Sequence, residues 1–144
     1  MRRAEIVALA RGWIGTPYVH QGSTRGAGAD CLGLVRGIWR EALGAEPATV
    51  PAYTEDWSEA GRDERLWSAA RTHLIPREGL APGAVLLFRM RAGGVAKHLG
   101  ILAETGPRPS FIHAYSGHRV TESPLSAPWA RRIVACFDFP ARSC

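Results

Sequence analysis

One cysteine and two histidines in this chain are placed to do chemistry together. Cys31 lies in the run Ala29-Asp30-Cys31-Leu32-Gly33-Leu34-Val35, where a glycine-rich loop gives way to an amphipathic stretch. A cysteine in the first turn of a helix faces unpaired backbone N–H groups and the positive end of the helix dipole, which favours thiolate over thiol. That setting predicts a thiol pKa lowered from about 8.5 into the range of roughly 3.5–7.5. The backbone N–H of Cys31 itself is suited to hold part of an oxyanion. His98 follows the Gly93-Gly94 turn at the start of an apolar run and is the candidate base. Read as an edge position, it would turn its imidazole toward a helix packed on the sheet. His113 lies in the next apolar run, where antiparallel pairing would make it a cross-strand neighbour of His98, able to fix the tautomer and ring plane of the base. A nucleophile, a base and an orienting group are what amide hydrolysis through a thioester requires. His20 and His118 fall in loop or turn contexts and read as surface residues, while His73 ends a polar helix, where a histidine suits the dipole.

These residues need a scaffold, and the pattern around them supplies one. Ile6, Leu9, Ala10 and Trp13 share a helical face, which predicts a first helix over 3–13, broken by Gly15-Thr16-Pro17. Residues 19–29, punctuated by glycine, read as a loop. Asp30 is placed to cap a second helix with Leu34, Val35, Ile38, Trp39 and Ala42 on its buried face and Gly44 at its end. Gly33 and Gly37 sit four apart on one face and cost a helix about 1 kcal/mol each relative to alanine, so their spacing predicts close approach of another backbone. Residues 47–51 read as a turn or linker, and a third, more polar helix is expected over 55–72.

The period then changes to that of strands. Residues 84–90 read as a buried strand, 91–94 as a hairpin turn and 98–102 as the next strand; 111–115, 118–121 and 133–139 complete the sheet. Helices first and an antiparallel sheet after define an α+β arrangement. The 144 residues suit a single domain over 1–144.

Lys+Arg total 18 against 13 Asp+Glu, a net charge of +5, and Lys97 is the sole lysine. Such a surface suits an anionic partner, and no nucleic-acid motif accompanies it. Three cysteines make no even disulfide framework. Cys136, in the run 133–137, reads as a buried core thiol, and a bridge from it to the terminal Cys144 stays open. The cysteine and histidine spacing fits no zinc pattern, so no metal is expected. No stretch approaches the roughly 18 apolar residues of a membrane span. Glu5 and Arg11 interrupt any leader-like core near the start, so the chain reads as lacking a secretion signal.

Four motifs, in order, resemble the NlpC family of papain-like cell-wall cysteine peptidases over roughly 6–137. They are the turn Gly15-Thr16-Pro17-Tyr18, the box Asp30-Cys31-Leu32-Gly33-Leu34, the strand pair 82–88 and His98-Leu99-Gly100-Ile101-Leu102, and Ile112-His113-Ala114. The resemblance implies a papain-like NlpC fold, with N-terminal helices packed on an antiparallel sheet. It makes Cys31 the nucleophile, His98 the base and His113 the third, orienting residue. It places Tyr18 as a substrate-binding residue lining the site, and it implies no cofactor. Leu32 stands where the family usually has serine. The longer run 25–41 looks like the phage and gene-transfer-agent branch, whose members are tail-associated peptidases.

The resulting expectation is a peptidoglycan endopeptidase carried in a phage-like particle, made in the cytoplasm and acting at the recipient cell wall or periplasm. It would cut stem peptides at the γ-D-glutamyl–diaminopimelate bond to let DNA delivery cross the wall. Its partners would be stem peptides and tail hub or tip proteins, with no direct nucleic-acid recognition. The alternative is a structural tail-tip component on a peptidase scaffold with little activity. An amidase or acyltransferase using the same residues is a third reading.

Overall fold

A computed structural model of the chain describes residues 3–48, 53 and 64–141. Its elements in chain order are α1 (Arg3–Arg11), β1 (Ser23–Thr24), β2 (Gly28–Ala29), α2 (Cys31–Leu43), α3 (Arg65–His73), β3 (Ile75–Arg77), β4 (Val85–Arg89), β5 (Ala96–Glu104), β6 (Ser110–His113), β7 (Thr121–Pro124), α4 (Ala127–Ala130) and β8 (Ile133–Asp138). Six strands form one antiparallel sheet in the order β3-β8-β4-β5-β6-β7, while β1 and β2 make a small hairpin inside the loop before α2. This is the α+β arrangement expected.

The sheet is buried on both faces. Val85, Leu87, Leu99, Ile101 and Ile112 pack with Ile6, Val7, Leu34, Ile38 and Leu66 from α1–α3, forming the larger core. Leu86, Phe88, Leu102 and Phe111 face the other way, onto Leu125 and Trp129. Burial on both faces explains why β4 reads as an unbroken apolar run rather than an alternating one.

Helix α2 carries the candidate nucleophile and is fixed at both ends. The Asp30 carboxylate accepts from Gly33 N at 2.7 Å, the cap expected, and Gly44 ends the helix at a φ of 97°. Its two glycines are where neighbours come closest. A Cβ on Gly33 would fall 1.6 Å from the carbonyl oxygen of Gly22, and one on Gly37 would fall 2.0 Å from Trp13 Cζ2. The predicted backbone approach is therefore found at Gly33, whereas at Gly37 the neighbour is an indole. Trp13 is held there by a 3.1 Å bond from its Nε1 to Glu41.

Several boundaries differ from the sequence reading. α1 stops at Arg11, and Trp13 belongs to the turns that follow. α3 begins at Arg65; residues 55–63 of the expected third helix, with Trp57, lie outside the described residues. Ile75–Arg77, for which no strand is expected from the sequence, forms β3 at the sheet edge, where Pro76 costs no interior ladder bond. The strand expected over 118–121 begins at Thr121, and the short α4, which starts Ala127-Pro128, carries no periodic signal.

Candidate active site

Cys31 and His98 open onto one cleft of about 390 Å3, which Tyr18, His20, Asp30, Tyr53, Met90 and Tyr115 also line. The thiol stands at the first residue of α2, and its hydrogen bond goes to the carbonyl oxygen of Lys97, the residue before His98, at 3.9 Å. His98 sits near the start of β5, an interior strand rather than an edge. Pairing with Phe88 and strand alternation set it with the second core, its ring centroid 5.6 Å from Phe88 and 5.6 Å from Trp129.

His113 meets His98 diagonally. Ile101 pairs with Ile112, which sets His113 beside Gly100 rather than opposite His98. The two rings still join through a 2.8 Å bond between His98 Nε2 and His113 Nδ1, and His113 Nε2 lies 3.0 Å from Ser123 Oγ on β7. One tautomer set satisfies this chain and leaves a usable base. His113 carries its proton on Nε2 and donates to Ser123, so its Nδ1 accepts from Nε2–H of His98. The lone pair of His98 Nδ1 is then free to take a proton.

The electrostatics reverse one expectation. The Cys31 thiol is not acidified: burial first, then the adjacent Asp30 carboxylate, push it up to about 12. The capping carboxylate offsets the positive helix end that the sequence reading relied on. Burial also pushes His98 down to about 3, aided by His113, and His113 down to about 4, aided by His118. The resting pair is therefore neutral thiol and neutral imidazole, so proton transfer must accompany attack.

The histidine pair has a consequence for stability. Unfolded histidines titrate near 6.5 and the buried pair far lower, so below pH 6.5 the unfolded chain binds protons that the folded one refuses. The pair's contribution is full above pH 6.5 and falls away as pH drops toward 3. Urea titrations should show stability falling across that window by on the order of a few kcal/mol more in the natural chain than in a His98→Gln/His113→Asn variant. Parallel curves for the two proteins would show that the pair is not held neutral.

The sequence reading missed several residues here. His20 is not a surface residue: it lines the cleft, half-buried, its Nε2 2.8 Å from the carbonyl oxygen of Tyr53. Tyr53 donates its hydroxyl to Asp30, whose same oxygen accepts from Gln21 N at 2.7 Å. A lone tyrosine between the expected linker and the expected third helix gives no signal of this. Trp129 touches both histidine rings, with centroids 5.6 Å and 5.2 Å away. His118 is exposed and stacks on Tyr115. Tyr18 lines the cleft, as the resemblance implied. Cys136 is half-buried and free, and Cys144 lies outside the described residues. Among the described residues, no group of three or more His, Cys, Asp or Glu is placed to hold a metal, and no helix is long and apolar enough to cross a membrane.

A helix-borne cysteine and a histidine pair on an antiparallel sheet, facing one cleft, place this molecule in the papain-like class of scaffold. The chain belongs to the NlpC/P60 family, whose model matches residues 15–137. It is 31% identical over 131 residues to the murein DD-endopeptidase MepS/murein LD-carboxypeptidase of Escherichia coli (strain K12), covering 90% of this chain and 59% of that protein. It is 32% identical over 121 residues to the gamma-DL-glutamyl hydrolase of Bacillus subtilis (strain 168), covering 84% of this chain and 25% of that protein. The chain thus spans between 25% and 59% of the length of these two relatives. Among solved structures, the NlpC/p60 domain of the peptidoglycan hydrolase SagA shares the fold, with a TM-score of 0.62 at 24% identity, covering 96% of this chain and all (100%) of that one.

Proposed function

We propose that this protein is a cysteine peptidase that hydrolyses amide bonds in peptidoglycan stem peptides, at the γ-D-glutamyl–diaminopimelate bond. The observation that carries the reading is the hydrogen-bonded series His98–His113–Ser123 behind a cleft that Cys31 shares with His98. Sγ turns from the Lys97 carbonyl to the imidazole, gives its proton to His98 Nδ1 and bonds to the substrate carbonyl carbon. The imidazolium formed donates through Nε2–H to His113. The oxyanion lies against the N–H groups at the start of α2, among them that of Cys31. Collapse breaks the C–N bond, and the amine leaves with the proton from His98. Water then attacks the thioester, giving a proton to His98, which returns it to sulfur as the acid is released.

The γ-glutamyl assignment is supported by the name of one relative, a gamma-DL-glutamyl hydrolase; the other, a murein DD-endopeptidase/LD-carboxypeptidase, supports the peptidoglycan substrate class and names different bonds. The setting we propose is a phage-like tail or gene transfer agent. The protein would be made in the cytoplasm, bound to hub or tip proteins, and brought to the recipient wall during DNA delivery. Support for it is the run 25–41 with Leu32 after the nucleophile.

Diaminopimelate-type peptidoglycan digested with the wild-type chain should release fragments cut after D-glutamate, and Cys31→Ala should release none. Mass analysis of the soluble products reads the result. Silence from a correctly folded wild type would leave the structural tail-tip reading in its place.

A further inference from the structure

Met90 lies on the wall of the cleft and also on the wall of a second depression of about 640 Å3. Arg89, Arg91, Arg131 and Arg132 bound that depression, brought together by the end of β4 with its following turn and by the α4–β8 turn. Arg89 is engaged within the fold: its Nε donates to the carbonyl oxygen of Gly94 at 2.6 Å, and Nη2 lies 3.2 Å from Glu64. Arg91, Arg131 and Arg132 are exposed. Arg132 stands over the ring of Trp129, 5.6 Å from its centroid, and Trp129 packs in turn on His98 and His113. The basic depression is thus joined to the reacting pair through one indole and shares a wall with the cleft at Met90.

We propose that Arg91, Arg131 and Arg132 form an anion subsite that receives a free carboxylate of the peptide whose scissile amide lies over Cys31. The assignment rests on the peptidase reading above and deepens it. The charge is carried by guanidinium groups, whose planar fork matches a carboxylate through paired N–H donors and is lightly hydrated. The depression is bounded by two turns and shares the apolar side chain of Met90 with the cleft. Three exposed arginines on two adjacent turns suit the few charges of a peptide, whereas a duplex would need phosphate contacts along an extended basic face.

The test measures binding by the full chain carrying Cys31→Ala, so that turnover does not intervene. Two probes are used: a diaminopimelate-type stem peptide with the D-glutamate α-carboxyl free, and the same peptide with that group as carboxamide. Arg131→Gln/Arg132→Gln is expected to weaken the carboxylate probe by about tenfold and to leave the carboxamide probe unchanged. Arg132→Lys, which keeps charge but loses the fork, should fall between. Equal weakening of both probes, no weakening of either, or no binding of either by the parent overturns the subsite. Tighter binding of a short DNA duplex than of the carboxylate peptide also overturns it. Digestion by the wild-type chain alongside a failed subsite would leave the peptidase reading standing. Arginine-dependent binding without digestion would remove the peptidase reading and keep the subsite.

Discussion

His98→Ala is expected to lower kcat/KM at neutral pH by roughly 10³–10⁴, the upper part of what general base catalysis supplies. The reason lies in the protonation state of the site. A thiol pushed up to about 12 by burial and Asp30 is almost wholly protonated at pH 7, with a thiolate fraction on the order of 10⁻⁵. Only an adjacent base makes it a nucleophile, and among the described residues that line the cleft His98 is the one whose free nitrogen is oriented by a second imidazole. The variant's residual rate should rise about tenfold per pH unit from pH 7 to 10, because hydroxide must now remove the proton. The wild type should stay flat over neutral pH, with its acid limb well below 6.5, since burial holds both rings neutral. His113→Ala should cost less, about 10–100-fold, because the base remains but its tautomer and ring plane are no longer set. Iodoacetamide gives an independent readout. Slow alkylation of wild-type Cys31 at pH 6, rising with pH, fits a neutral pair; fast, pH-insensitive alkylation would show a preformed thiolate and sink this account.

The same site shows what a sequence does and does not reveal. Cys31, His98 and His113 were legible because each sits inside a periodic segment of its own, and Asp30 because a capping residue has a fixed offset from its helix. The interior place of His98 was not, since strand order is set by pairings between distant segments and β8 and β4 cover one side of β5 while β6 covers the other. The raised thiol was missed for a different reason. The dipole argument counted the helix and left out both the burial of the thiol and the carboxylate that caps the helix, each of which acts in the opposite direction. Tyr53, His20, Ser123 and Trp129 reach the site through loops or short elements whose course depends on the finished fold, and no local pattern marks them.

Gly33→Ala is expected to be among the most destabilising single substitutions in the chain, at about 3 kcal/mol or more, although alanine is the better helix former by about 1 kcal/mol. The added Cβ would lie 1.6 Å from the carbonyl oxygen and 2.8 Å from the carbonyl carbon of Gly22. Both are backbone atoms, so no rotamer change relieves the clash. Nor can the strand of loop simply retreat. Gly22 O accepts from Asp30 N at 3.2 Å, Gly22 N donates to Val19 O at 2.8 Å, and Gln21 N donates to the Asp30 carboxylate. Moving Gly22 therefore strips partners from Asp30, the residue that caps α2 and stands next to the nucleophile. Loss of stability and loss of the site should be coupled: chemical denaturation should show the drop, and Cys31 in the surviving folded fraction should alkylate faster as its burial relaxes. A Gly33→Ala protein as stable as wild type, with an equally slow thiol, would mean that the loop does not press on α2 there and that Asp30 holds the helix start without it.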